Sequence, residues 1–163
     1  MFIIVMGVSG CGKTTIGRLL GESLGWPFYD GDDFHPAANV AKMASGVPLE
    51  DEDRAGWLAA LAHLIQVRAG AGEQGVIACS ALKESYRALL RGADPGAVRF
   101  VFLKGSYEVI VERLRCRGGH FMKPELLASQ FATLEEPLDA LCVDVDLPEV
   151  EIVGRVRELV EMS

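Results

Sequence analysis

A chain of 163 residues, 50% hydrophobic, 24% charged and net −7, is long enough to bury about 68–70% of its unfolded surface in one core and too apolar to be disordered. The acidic balance argues against duplex nucleic acid or an anionic membrane surface as partner, since both ask for the opposite sign, and no apolar run reaches the roughly 18–20 residues of a membrane span. Cys11, Cys79, Cys116 and Cys142 have neither Cys-x-x-Cys nor zinc spacing, which points to a reducing, cytoplasmic setting.

In chain order, Phe2–Met6 reads as a buried strand and Lys13–Leu24 as a helix. A short strand is expected at Pro27–Asp30, then helices over about 38–44 and Arg54–Arg68. Strand Gly75–Cys79, helix Ala81–Arg91 and strand Val98–Leu103 follow. Helices Tyr107–Arg117 and Pro124–Leu134, strand Leu141–Val145 and helix Glu149–Met162 complete the pattern. Short, near-continuous apolar runs alternating with amphipathic stretches indicate an α/β domain spanning 1–163, a parallel sheet with helices on both faces. Ligands of such sheets bind at the carboxyl ends of the strands. The informative motifs do follow strands.

Gly7-Val8-Ser9-Gly10-Cys11-Gly12-Lys13-Thr14 matches G-x-x-x-x-G-K-[ST], between a strand and a helix as that motif requires. Glycines let the backbone curl so that successive N–H groups, aided by the helix dipole, face phosphate oxygens. Lys13 is expected on the β/γ-phosphates of ATP and the Thr14 hydroxyl on Mg²⁺, with Thr15 completing the nucleotide-binding stretch. The Cys11 thiol, at a helix N-terminus beside a lysine, is expected to be reactive.

Strand Gly75–Cys79 ends in Cys79-Ser80 and no acid follows until Glu84, so the Walker-B aspartate of an ATPase is missing there. Asp30 and Asp32 lie two residues apart at a strand end and can face one side. Asp30 is expected to hold Mg²⁺ through water while Asp32 accepts the proton of an attacking hydroxyl. His35 either binds substrate or caps the turn before Pro36. Arg54, inside the acidic run Glu50–Asp53 that opens a helix, is either poised for an anion or an ordinary surface ion pair. The cations of 113–123 stand out in an acidic chain. Gly118-Gly119 offers a hinge and residues 118–137 read as a lid, with Arg113 on the nucleotide and Arg117 on the transferring phosphoryl group; a solvated helix end is the plainer reading. Asp146 and Pro148 suit a loop beside the adenine.

On Met6–Thr14, Asp30–Pro36, Asn39–Arg54 with Trp57-Leu58, Cys79–Lys83, Tyr86-Arg87, Leu103–Gly105, Gly119–Met122, Ser129–Phe131, Leu134-Glu135 and Pro137, the chain resembles the gluconokinase family, small P-loop kinases related to shikimate and adenylate kinases. The resemblance implies a P-loop three-layer fold of five parallel strands in the order 2-3-1-4-5. It implies transfer of the ATP γ-phosphate to O6 of D-gluconate, with Mg²⁺, in a homodimer. By position, Asp32 faces the sugar hydroxyl, and His35, Arg54, Lys83, Arg87 and His120 become candidates for the sugar acid. Two rival readings stay open: a kinase for another small acceptor, such as shikimate or a nucleoside monophosphate, and a nucleotide-switched binding protein.

Overall fold

The computed structural model describes residues 1–117 and 124–163, leaving aside the side chains of Arg117 and Pro124. Five strands, β1 (Phe2–Met6), β2 (Phe28–Asp30), β3 (Gly75–Ala78), β4 (Val98–Lys104) and β5 (Leu141–Asp144), form one parallel sheet in the order β2-β3-β1-β4-β5. That is the expected order. Side chains alternate across a strand, so β1 divides cleanly between two cores. Ile3 and Val5 join Val101 and Leu103 of β4 on one face. Phe2, Ile4 and Met6 join Phe100 and Phe102 on the other.

Helices α1 (Lys13–Leu24), α5 (Tyr107–Arg117) and α7 (Glu149–Glu161) cover the first face through Ile16, Leu20, Ile110, Leu114, Ile152 and Val156. Helices α3 (Asp51–Gly70) and α4 (Glu84–Arg91) cover the second through Trp57, Leu58, Leu61, Ile65, Tyr86 and Leu90. The short α2 (Ala37–Ala44) lies between β2 and α3, and α6 (Pro124–Thr133) adds Leu127 to the first core. Burial of both sheet faces is why the strands read as unbroken apolar runs. No helix among the described residues is long and apolar enough to cross a membrane.

Two helix starts differ from the sequence expectation. α3 begins at Asp51, because the Asp53 carboxylate accepts the Glu50 N–H at 2.9 Å and caps the acidic first turn. α4 begins at Glu84, not Ala81: Ala81 has a left-handed φ of 45°, which a helix cannot incorporate.

Candidate active site

The glycines after β1 do what their spacing predicts. Gly7, Gly10 and Gly12 have φ of 145°, 83° and 97°, a region open to residues without Cβ. Gly12 is the N-cap of α1, so the loop runs directly into the positive end of the helix dipole. The Gly7 N–H donates to Ser80 O at 3.3 Å, tying this loop to the segment after β3. The Lys13 ammonium donates to Val8 O at 3.0 Å, keeping its charge on the loop. Cys11 departs from expectation: it is 2% exposed and belongs to the core, so its thiol is shielded from solvent reagents.

At the end of β2, Asp30 faces the loop. Its carboxylate accepts from the Thr14 hydroxyl at 3.4 Å and from the Asp32 N–H at 3.0 Å. The sequence thus brings its two candidate Mg²⁺ residues together. No cluster of three or more His, Cys, Asp or Glu with metal-site spacing occurs among the described residues. A Mg²⁺ ion carried largely by substrate phosphates and waters needs none.

A single-turn 3-10 helix, Gly31–Phe34, follows. It is held from α3, where buried Trp57 donates its indole N–H to Gly31 O at 2.7 Å. The Trp57 ring also stacks on His35, with centroids 4.1 Å apart and planes 17° off parallel. The His35 side chain is only 4% exposed, whereas that of Asp32, 3.9 Å away, is 79% exposed. Burial holds the His35 imidazole below its ordinary pKa; Asp32 pulls the other way and Arg54 adds to the lowering. His35 is therefore neutral at neutral pH.

One cleft at the carboxyl end of the sheet is lined by Ser9 and Lys13 from the loop, Asp32 from the 3-10 turn and His35 that caps it, and Arg54 and Trp57 from α3. Arg54 is not an ordinary surface ion pair. Its side chain is 13% exposed, with Asp51 at 3.9 Å. Its guanidinium donates to the Tyr86 hydroxyl at 3.0 Å, and that hydroxyl donates in turn to Asp51. A cation so braced can meet a carboxylate with two parallel N–H groups.

Two candidates for the sugar acid lie elsewhere. Arg87 is 1% exposed, and its guanidinium donates to Ala81 O at 2.8 Å, Glu135 O at 2.9 Å and Glu84 Oε2 at 3.0 Å. It ties α4 to the chain on both sides and is absent from the cleft lining. Lys83 donates to both Asp51 carboxylate oxygens, at 3.1 and 3.3 Å, outside that lining. His120, the Arg117 side chain and segment 118–123 of the expected lid lie outside the described residues.

The rest of that segment supplies what residue-by-residue reading missed. Leu126, Ser129 and Gln130 of α6 line the cleft, and Gln130 Oε1 accepts the Ser9 N–H at 2.7 Å. Ser129 and Gln130 stand in a stretch that carries the family resemblance, the one signal in the sequence for them. At the far side of the loop, Arg113 donates to Val145 O and stands 3.9 Å from Asp146, so these two nucleotide candidates are neighbours. Pro148 is the N-cap of α7 just beyond.

The model of the shikimate kinase family matches residues 9–137. The gluconokinase of Gluconobacter oxydans (strain 621H) is 48% identical, covering 94% of this chain and 82% of its own. The thermoresistant gluconokinase of Escherichia coli K12 is 43% identical, covering 97% of this chain and 92% of its own. The crystal structure of a gluconokinase from Sinorhizobium meliloti 1021 is 44% identical and aligns with TM-score 0.86 over 98% of this chain and 95% of that one. Similarity at this level over nearly the whole length, on a sheet of the expected order, means that this chain belongs to the gluconokinase family.

Proposed function

We propose that this protein transfers the γ-phosphoryl group of ATP to O6 of D-gluconate, giving 6-phospho-D-gluconate and ADP. The observation that carries the reading is that one cleft joins the phosphate loop, through Ser9 and Lys13, to an acid, Asp32, and to a braced arginine, Arg54. A linear sugar acid has a carboxylate at one end and a primary hydroxyl at the other. The two ends need opposite partners, and the cleft offers both.

In this reading the N–H groups of 7–14 and the Lys13 ammonium hold the phosphates, and Arg113, Asp146 and Pro148 border the adenine. Thr14 and Asp30 fit a Mg²⁺ ion, with Asp30 acting through water; bound there, the ion neutralises charge on the phosphate oxygens. Asp32, exposed to the cleft, takes the proton as the sugar oxygen forms its bond to phosphorus. Arg54 takes the carboxylate. The work is done in one domain of 1–163, in the cytoplasm, by a homodimer.

The shikimate kinase model match favours a second reading, with shikimate as acceptor. Regiochemistry decides between them directly. Incubation with MgATP and ¹³C-labelled gluconate, followed by NMR of the product, is expected to show phosphorus coupling at C6. Esterification at another carbon, or no ester from gluconate beside a rapid one from shikimate, would sink the proposal.

A further inference from the structure

A backbone carbonyl two side chains away decides where a proton sits beside Asp32. Asn39 is 3% exposed. Its Nδ2 lies 2.7 Å from Asp53 O and 3.2 Å from His35 Nδ1. A carbonyl oxygen only accepts, so the amide atom facing it must be the NH₂ group. The second hydrogen of that group then meets His35 Nδ1, which has to accept. In a neutral imidazole one nitrogen accepts and the other carries the hydrogen. The hydrogen is therefore on Nε2, the atom 3.9 Å from Asp32 Oδ1.

Each member of this chain is held from behind. The Asp53 carboxylate is occupied by Lys42 at 2.8 Å and by the Glu50 N–H at 2.9 Å. The imidazole cannot turn freely, because its face lies on Trp57 and Trp57 is fixed to Gly31 O. Turning the ring over would put Cδ2–H in place of the accepting nitrogen and leave the amide hydrogen without an acceptor, and a proton added at Nδ1 would oppose two donors across the 3.2 Å gap.

We propose that Asn39 is a positioning residue for phosphoryl transfer, holding His35 as the neutral Nε2–H tautomer so that the acceptor hydroxyl receives a hydrogen bond from Nε2 while giving its proton to Asp32. This rests on the reading of the cleft as a sugar-acid kinase site. One hydroxyl satisfies both groups: its lone pair takes Nε2–H and its O–H points at the carboxylate. As the new O–P bond forms and the bond from phosphorus to the ADP oxygen breaks, the hydroxyl proton moves to Asp32 and His35 keeps its own. A doubly protonated His35 would pair with Asp32 and weaken it as a base. The charged groups facing the ring are Asp32 from the 3-10 turn and Arg54 from α3, with the Lys42–Asp53 pair closed on itself behind.

Long-range ¹H–¹⁵N NMR of the full chain reads this arrangement directly, with the His35 signals identified by their loss in His35→Gln. Near neutral pH the expected spectrum has hydrogen on Nε2 and none on Nδ1; an Nδ1–H tautomer or an imidazolium overturns the proposal. Asn39→Asp replaces the donor by an acceptor. It should draw a proton to Nδ1, raise the His35 titration midpoint and cut kcat/KM for gluconate on the order of 10–100-fold, by analogy with the groups that orient metal-bound histidines, with KM for ATP unchanged. Wild-type kcat/KM in a folded Asn39→Asp protein overturns the positioning role. If that variant does not fold, the wild-type tautomer still decides. The tautomer is read without any acceptor, so a wrong choice of gluconate and a wrong proton assignment are separately visible.

Discussion

Gly31→Ala tests whether the position of Asp32 is set by the packing of one turn. A Cβ built on Gly31 falls well inside 3.0 Å of the Ala78 carbonyl oxygen and 3.3 Å from Cβ of Cys79. Neither neighbour can give way cheaply. Ala78 pairs with Val5 of β1 and Asp30 of β2, and Cys79 is 1% exposed in the core. The 3-10 turn must yield instead, by an ångström-scale step, and it carries Asp32 with it. The same movement strains the bond from Trp57 to Gly31 O, on which the His35 stack depends. Misplacement by about 1 Å costs about 10²-fold in rate, while overpacking of this kind typically costs about 1–3 kcal/mol. Gly31→Ala should therefore lose about 10²-fold in kcat, with Tm lower by about 2–4 °C for each kcal/mol lost. ATP affinity, measured by titration with a non-hydrolysable analogue, should hold, because the phosphate loop lies on β1. Wild-type turnover with an unshifted Tm would refute the reasoning, since the turn would then tolerate a methyl group that the packing has no room for.

Asp32→Asn should lower kcat by about 10²–10⁴ with ATP binding little changed, the range for losing a positioned base; near-normal turnover removes Asp32 from the chemistry. Arg87→Met should destabilise the fold by about 2–6 kcal/mol, from two orphaned carbonyls at about 1–3 kcal/mol each, while KM for gluconate stays as it was. A raised KM at unchanged stability would return Arg87 to the substrate. The lowered pKa of His35 means that below the ordinary histidine value of about 6.5 the unfolded chain binds the proton more readily than the folded one. Its contribution to stability is thus intact above that pH and lost as pH falls through the window down to the lowered value. Denaturant titrations across that range should show a slope that His35→Gln flattens, and equal slopes in the two proteins would contradict it.

The phosphate loop was legible because its chemistry is local: Gly7, Gly10 and Gly12 need positive φ whatever surrounds them. Thr14 stands in that same segment and Asp30 at the end of the next strand, whereas the sheet order came from the family resemblance and not from the strand pattern. The arginines were not separable, since Arg54 and Arg87 were both candidates for the sugar acid by position in the resemblance. Only the fold shows that α3 turns Arg54 into the cleft while α4 spends Arg87 on the carbonyls of Ala81 and Glu135. The Ser9–Gln130 bond joins residues 121 positions apart, and periodicity cannot reach that far. The Cys11 thiol was misjudged for a related reason: its place at a helix N-terminus is local, but its burial is tertiary.

In the proposed reaction Arg54 and Asp32 select an acceptor with a carboxylate at one end and a primary hydroxyl at the other. Initial rates of ADP release over gluconate, sorbitol, glucose, shikimate and AMP, compared as kcat/KM, test it most directly. Sorbitol keeps the length and the hydroxyl but leaves the arginine unpaired, and sites built to pair a polar group reject such analogues by about 10⁴–10⁵. Gluconate should lead every other acceptor by orders of magnitude; shikimate or AMP in first place, or sorbitol level with gluconate, would contradict the account.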